Sequence, residues 1–166
     1  MNLYLLRHGL AVERGTPGYE DDATRQLTPK GRRQVREVAA AMQAMELRFE
    51  TILSSPLVRA HQTAEITAAS LKLKKYLAFA DELLPGGPPN KLVEKISELK
   101  SAPENILLVG HEPDLGELIS LLVTGKKGAG LALKKAGLAK LEIENLRAGQ
   151  CAMLAWLLTP KQMKLM

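Results

Sequence analysis

The chain has 166 residues, 46% apolar and 25% charged, with 23 Lys and Arg against 18 Asp and Glu for a net charge of +5. That length gives one domain, residues 1–166, with a full hydrophobic core, and that composition excludes intrinsic disorder. The longest apolar run, Cys151–Leu158, is far below the ~18 residues that span a bilayer.

Asn2–Leu6 is a short apolar run that ends at Arg7-His8-Gly9 and reads as a buried strand followed by a loop. Glu13–Gln26, with Gly15, Pro17 and Gly18, reads as a long irregular loop. Thr28 is a good N-cap with Pro29 at the first helical position, and Val35, Val38, Met42 and Met45 recur at helical spacing behind it. Thr51–Leu53 predicts a second strand, after which Ser55 caps a helix opened by Pro56 and running to about Ser70. Tyr76–Phe79 predicts a third strand, then a Pro/Gly loop at Pro85–Pro89 and a helix marked by Leu92, Ile96 and Leu99. Asn105–Val109 is the clearest buried strand, with a helix after Pro113 carrying Leu115, Leu118, Ile119 and Leu122. Beyond Gly128, strands are expected at Leu131–Leu133, Leu138–Ile143 and Gln150–Leu158. Alternating strand and helix with a strand-rich end predicts a three-layer α/β/α domain around a mixed, mostly parallel sheet.

Three segments put charged or nucleophilic groups directly after a predicted strand: Leu6-Arg7-His8-Gly9, Ser54–Ala60, and Val109–Pro113. Open α/β sheets bind ligands beyond the carboxyl ends of their strands. If the three strands are parallel neighbours, Arg7, His8, Arg59 and His111 converge. Two guanidiniums and two imidazoles make an oxyanion site, with phosphate the natural occupant. Gly9 leaves room beside His8, and the start of the helix carrying Arg59 favours an anion. A neutral imidazole can attack phosphorus, and like-charge repulsion from Arg7 and Arg59 would lower the pKa of His8 further. His8 is the expected nucleophile.

Together, LYLLRHG, LSSPLVRAHQTA and ILLVGHEP resemble the signatures of the histidine phosphatase superfamily, most nearly its small phosphohistidine phosphatase branch of the SixA type. The helix after LTPKG, the ADELLP segment and the chain length fit as well. The resemblance implies a phosphoglycerate mutase-like fold and a two-step reaction without metal or cofactor. His8 would take the phosphoryl group and water would release it, while Arg7, Arg59 and His111 hold the transferring oxygens. The implied substrate is phosphohistidine on a partner protein such as a phosphotransfer domain, with a small phosphorylated molecule as the alternative. A module that holds phosphate without turnover is the non-enzymatic alternative. For a general acid, Glu82 lies where the mutase-like branch places its glutamate and Glu112 where the acid-phosphatase branch has an aspartate; Glu82 is weighted slightly higher. A phosphohistidine substrate has a good leaving group and needs little acid assistance.

Other features point to ordinary structure. The basic excess lies in residues 121–166, with 8 basic and 2 acidic groups, among them Lys134 and Lys135. Trp156 is the only aromatic there, so a nucleic-acid interface is not expected. His61 lies two residues after Arg59 on the same helix and faces elsewhere, so a three-histidine zinc site is not expected. Gly125–Gly128 lacks the earlier glycine and following Ser/Thr of a phosphate loop and reads as a connection. Cys151, the lone cysteine, permits no internal disulfide and is expected buried in its strand. Arg7 and His8 interrupt the only N-terminal apolar stretch, so no signal peptide is expected and the cytoplasm is the expected compartment.

Overall fold

A computed structural model describes residues 1–100 and 102–166. Its six strands are β1 (Asn2–Arg7), β2 (Thr51–Ser54), β3 (Leu77–Phe79), β4 (Asn105–Gly110), β5 (Leu138–Ile143) and β6 (Ala152–Leu158). They form one sheet in the order β3-β2-β4-β1-β5-β6. The first four strands run parallel, β5 is antiparallel to β1, and β6 to β5. The helices are α1 (Pro29–Ala44), α2 (Val58–Ser70), α3 (Pro89–Ser97), α4 (Asp114–Thr124) and the short α5 (Pro160–Met163).

The unbroken apolar runs of β1 and β4 follow from burial on both faces. Leu3, Leu5, Ile106 and Leu108 pack with Leu92, Ile96, Leu115, Ile119 and Leu122 of α3 and α4. Their alternates Tyr4, Leu6, Leu107 and Val109 pack with Val35, Val38 and Met42 of α1 and with Ala60, Ala64 and Ala68 of α2. The small residues of α2 let that helix lie close to the sheet. The result is the expected α/β/α sandwich with a mixed, mostly parallel sheet.

Thr28 caps α1 as predicted, accepting a 3.0 Å hydrogen bond from Gly31 N. Several details differ. Helix α2 starts at Val58, and Leu57 stands at its N-cap without a side-chain bond, so Pro56 lies outside the helix. The Ser55 hydroxyl is turned toward His111 and accepts only a long 3.3 Å bond from Leu57 N. Leu99 lies beyond the end of α3 and Met45 at the C-cap of α1, both half-buried. Cys151 precedes β6 and is half-buried.

Leu131–Leu133 is not a strand. Leu133 N donates to Glu112 Oε1 at 3.0 Å, and Leu133 O accepts from Arg7 Nη1 at 2.8 Å. Side chains rather than a neighbouring strand satisfy this backbone. The Gly125–Gly128 stretch is a connection, opened by Gly125 in the left-handed region (φ 76°) at the C-cap of α4.

Candidate active site

In the sheet order, β2, β4 and β1 are contiguous and parallel, so the segments following them open on one edge. Arg7, His8, Arg59 and His111 come together there around a cavity of about 400 Å³. Glu112 lines the same cavity, and the exposed side chains of Arg14 and Lys135 form part of its rim.

His8 is buried, and its backbone N donates to Gly110 O at 3.0 Å. Its Nδ1 lies 2.7 Å from Gly9 O, and since a carbonyl only accepts, Nδ1 carries the proton. Nε2 therefore holds the lone pair. Burial pushes the pKa down to about 4, Arg59, Arg7 and Lys135 add to that, and the bond to Gly9 opposes it. The arginine repulsion expected from sequence is present but second to desolvation. Gly9 is held by Thr63, whose hydroxyl accepts from Gly9 N at 3.1 Å and donates to Arg59 O at 2.7 Å. A side chain on Gly9 would stand 2.7 Å from Val35 Cγ2, so the backbone beside His8 packs on α1 at glycine-only distance.

The ring of His111 is centred 5.2 Å from that of His8. Burial, then neighbouring His8 and Arg59, lower its pKa to about 3 against an opposing effect of Asp22. Its Nε2 lies 2.8 Å from Ser55 Oγ, while Nδ1 is buried without a partner.

The guanidiniums are anchored from behind. Arg7 donates to Leu133 O. Arg59, only 2% exposed, donates from Nη1 to Asp22 O at 2.8 Å and from Nη2 to Asp22 Oδ2 at 3.0 Å. Asp22 also meets Arg14 at 2.9 Å and Arg25 at 2.8 Å. Partial burial raises its pKa, but hydrogen bonds from Arg14 and Arg25 and the charge of Arg59 prevail and hold it at about 2. Both arginine Nε atoms are buried without a partner.

The two candidate acids separate. Glu82 does not line the 400 Å³ cavity; it sits in the turn after β3, with Lys95 Nζ 3.1 Å from its Oε2. Its pKa is lowered, first by a hydrogen bond to its own backbone and then by Lys95, against the effect of burial. Glu112 lines the cavity, and burial raises its pKa against hydrogen bonds from Leu133 and Gly116 N–H and the charge of Arg7. Glu82 instead lines a small separate pocket to which His111 also contributes. His61 stands apart, against Phe79 and 3.4 Å from Glu65. Among the described residues no three His, Cys, Asp or Glu side chains are grouped to hold a metal ion.

Asp22, Thr63 and the carbonyl of Leu133 are supporting groups that sequence reasoning did not single out. Thr63 lies within LSSPLVRAHQTA, one turn after Arg59, and that spacing was the available signal. Asp22 lies in a polar loop and carries none.

Residues 3–80 match the model of the histidine phosphatase superfamily (branch 1). An uncharacterised protein of Picosynechococcus is 42% identical over 142 residues, covering 85% of this chain and 84% of that protein. Phosphohistidine phosphatase SixA of Escherichia coli is 28% identical over 127 residues, covering 76% of each chain. The fold is that of the protein histidine phosphatase SixA solved with tungstate, at a TM-score of 0.82 and 23% identity over 97% of this chain and 98% of that one. With RHG and GHE segments meeting on a phosphoglycerate mutase-like sheet, the chain belongs to the histidine phosphatase superfamily.

Proposed function

We propose that residues 1–166 act as one metal-independent phosphatase domain that removes phosphate from phosphohistidine on a partner protein through a covalent intermediate on His8. The observation that carries this reading is the state of His8: a neutral imidazole, its proton held on Nδ1 by Gly9 O, with a free Nε2 lone pair in a pocket walled by two arginines. Nε2 attacks phosphorus as the bond to the leaving imidazole breaks, and charge on the equatorial oxygens is met by Arg7, Arg59 and His111. Water then attacks the phosphohistidine, inorganic phosphate leaves, and His8 returns to its neutral form. Glu112 is the carboxyl in reach of a poor leaving group; a leaving imidazole takes its proton with little help.

The pocket rim, with exposed Arg14 and Lys135, suits a phosphoryl group presented on a protein surface. The test is to incubate the protein with a phosphohistidine-bearing protein and, separately, with p-nitrophenyl phosphate, then look for acid-labile phosphate on His8. Labelling is expected, with loss of turnover in His8→Ala. Absence of labelling together with unchanged turnover in His8→Ala overturns the mechanism. Turnover of the small ester far above that of the phosphoprotein replaces the protein substrate by a small phosphomonoester. No phosphate release from either substrate leaves only a phosphate-binding module.

A further inference from the structure

We propose that Ser55 is a positioning residue that fixes the proton of His111 on Nδ1, so that the second histidine presents an N–H donor to the phosphoryl group. The inference rests on the catalytic reading of the pocket and adds to it a residue and a proton position.

Ser55 is fully buried in the segment that follows β2, and β2 pairs with β4, the strand leading to His111. Its backbone N donates to Val109 O at 2.9 Å, which continues the ladder one residue past β2 and sets the side chain beside the His111 ring. Ser55 Oγ has two neighbours: Leu57 N, which can only donate to it, and His111 Nε2 at 2.8 Å. A hydroxyl has one proton to give, and of these neighbours only Nε2 can accept it. Ser55 O–H therefore donates to Nε2, and the neutral ring carries its proton on Nδ1.

The reversed arrangement is disfavoured on both sides. If Nε2–H donated to Ser55, the serine proton would lie buried without an acceptor. The Nδ1 lone pair would then meet the oxygens of an entering phosphoryl group and repel them. In the proposed arrangement the unpartnered Nδ1 is a buried donor with an unmade hydrogen bond. His8 shows the same logic by other means: Gly9 O holds its proton on Nδ1 and leaves Nε2 as nucleophile. One ring is set by a carbonyl to attack and the other by a hydroxyl to donate. That two imidazoles 5.2 Å apart have different tasks follows from which atom each finds behind it.

The test is a long-range proton–nitrogen NMR correlation of the ring nitrogens in the phosphate-free protein near neutral pH, on wild type, Ser55→Ala and His111→Ala, the last assigning the signals. The expected result is a His111 signal with Nδ1 protonated in wild type and loss of that single preference in Ser55→Ala. A roughly 10- to 100-fold fall in kcat for p-nitrophenyl phosphate should accompany it, the range for removing one hydrogen bond to a charged group. Nε2 protonated in wild type overturns the proposal, as does a Ser55→Ala protein with an unchanged tautomer. If Ser55→Ala does not fold, the wild-type spectrum decides alone. Nδ1 protonation in a protein that never labels on His8 upholds the proton assignment and removes the catalytic reading.

Discussion

Replacing Gly116 by alanine puts two effects of opposite sign against each other. Gly116 is the third residue of α4, where alanine would add about 1 kcal/mol of helix propensity. Yet a Cβ there would overlap the carbonyl oxygen of Leu131 and stand 2.9 Å from Glu112 Oε2. Backbone cannot swing aside as a side-chain tip can, so the segment at Leu131–Leu133 must lift off the helix. Lifting strains two charge-assisted bonds, Glu112 to Leu133 N and Leu133 O to Arg7, each worth about 1.5–3 kcal/mol. Losing one, offset by the helix gain, leaves a deficit of about 0.5–2 kcal/mol, and losing both about 2–5. A loss near 2 kcal/mol lowers Tm by roughly 4–8 °C in a chain of this size. Because Arg7 loses its rear anchor, kcat should fall by about 10-fold alongside. Thermal melting followed by circular dichroism and steady-state turnover of p-nitrophenyl phosphate read the two effects. Gly116→Ala that melts a few degrees higher than wild type with unchanged kcat would show that α4 does not brace the Leu131–Leu133 segment.

Removing the arginine hub by Asp22→Ala leaves buried Arg59 without its counter-ion and costs about 1–2 kcal/mol, discounted because Asp22 is 37% exposed. Arg59 then loses orientation but not charge, so kcat should drop about 10-fold while inhibition by inorganic phosphate holds or tightens; unchanged kcat would refute the anchoring role. Both pocket histidines are held below the unfolded value, to about 4 for His8 and about 3 for His111, so their contribution is fully present above pH 6.5. It is lost as pH falls from about 6.5 toward 4, where the unfolded chain binds up to two more protons, a slope of up to about 2.7 kcal/mol per pH unit. Urea melts of His8→Ala/His111→Ala across that window should be flatter than those of wild type. In kcat/KM the acidic limb belonging to His8 should appear near pH 4, not 6.5. Glu112→Gln should slow an alkyl phosphate about 10- to 100-fold with little effect on p-nitrophenyl phosphate, and Glu82→Gln should change neither; a larger effect of Glu82→Gln would restore it as the acid.

How much could be read in advance depended on whether the partners were near in sequence. Asn2–Leu6 and Asn105–Val109 announce themselves because strands covered on both faces need no polar alternation, and β5 fell on its expected bounds. The convergence of Arg7, His8, Arg59 and His111 was legible because each follows a recognisable strand end. Leu131–Leu133 has the apolar look of a strand, but the groups that claim its backbone are side chains from Arg7 and Glu112, on other elements. Ser55 reads locally as a helix cap, and its contact with His111 spans 56 positions. Glu82 and Glu112 look alike in the sequence, each just after a strand. Lys95 on α3 separates them by engaging one, and burial separates them further by raising the other.

The central place of β1 has a consequence for how the molecule is made. Its neighbours are β4 and β5, and the backbone around His8 is tied to both: His8 N to Gly110 O, Arg7 N to Gly137 O, and Ala136 N to the carbonyls of Arg7 and His8. These pairings close loops of more than 100 residues, the slowest kind to form. During synthesis β1 emerges long before its partners and must wait with both edges open. A nascent chain ending before Ala136 would carry Arg7, His8, Arg59 and His111 yet lack the Ala136 and Gly137 backbone that helps seat the first two. Catalytic activity would therefore arise only with completion of the sheet, a natural reporter for refolding and for ribosome-arrested fragments of increasing length.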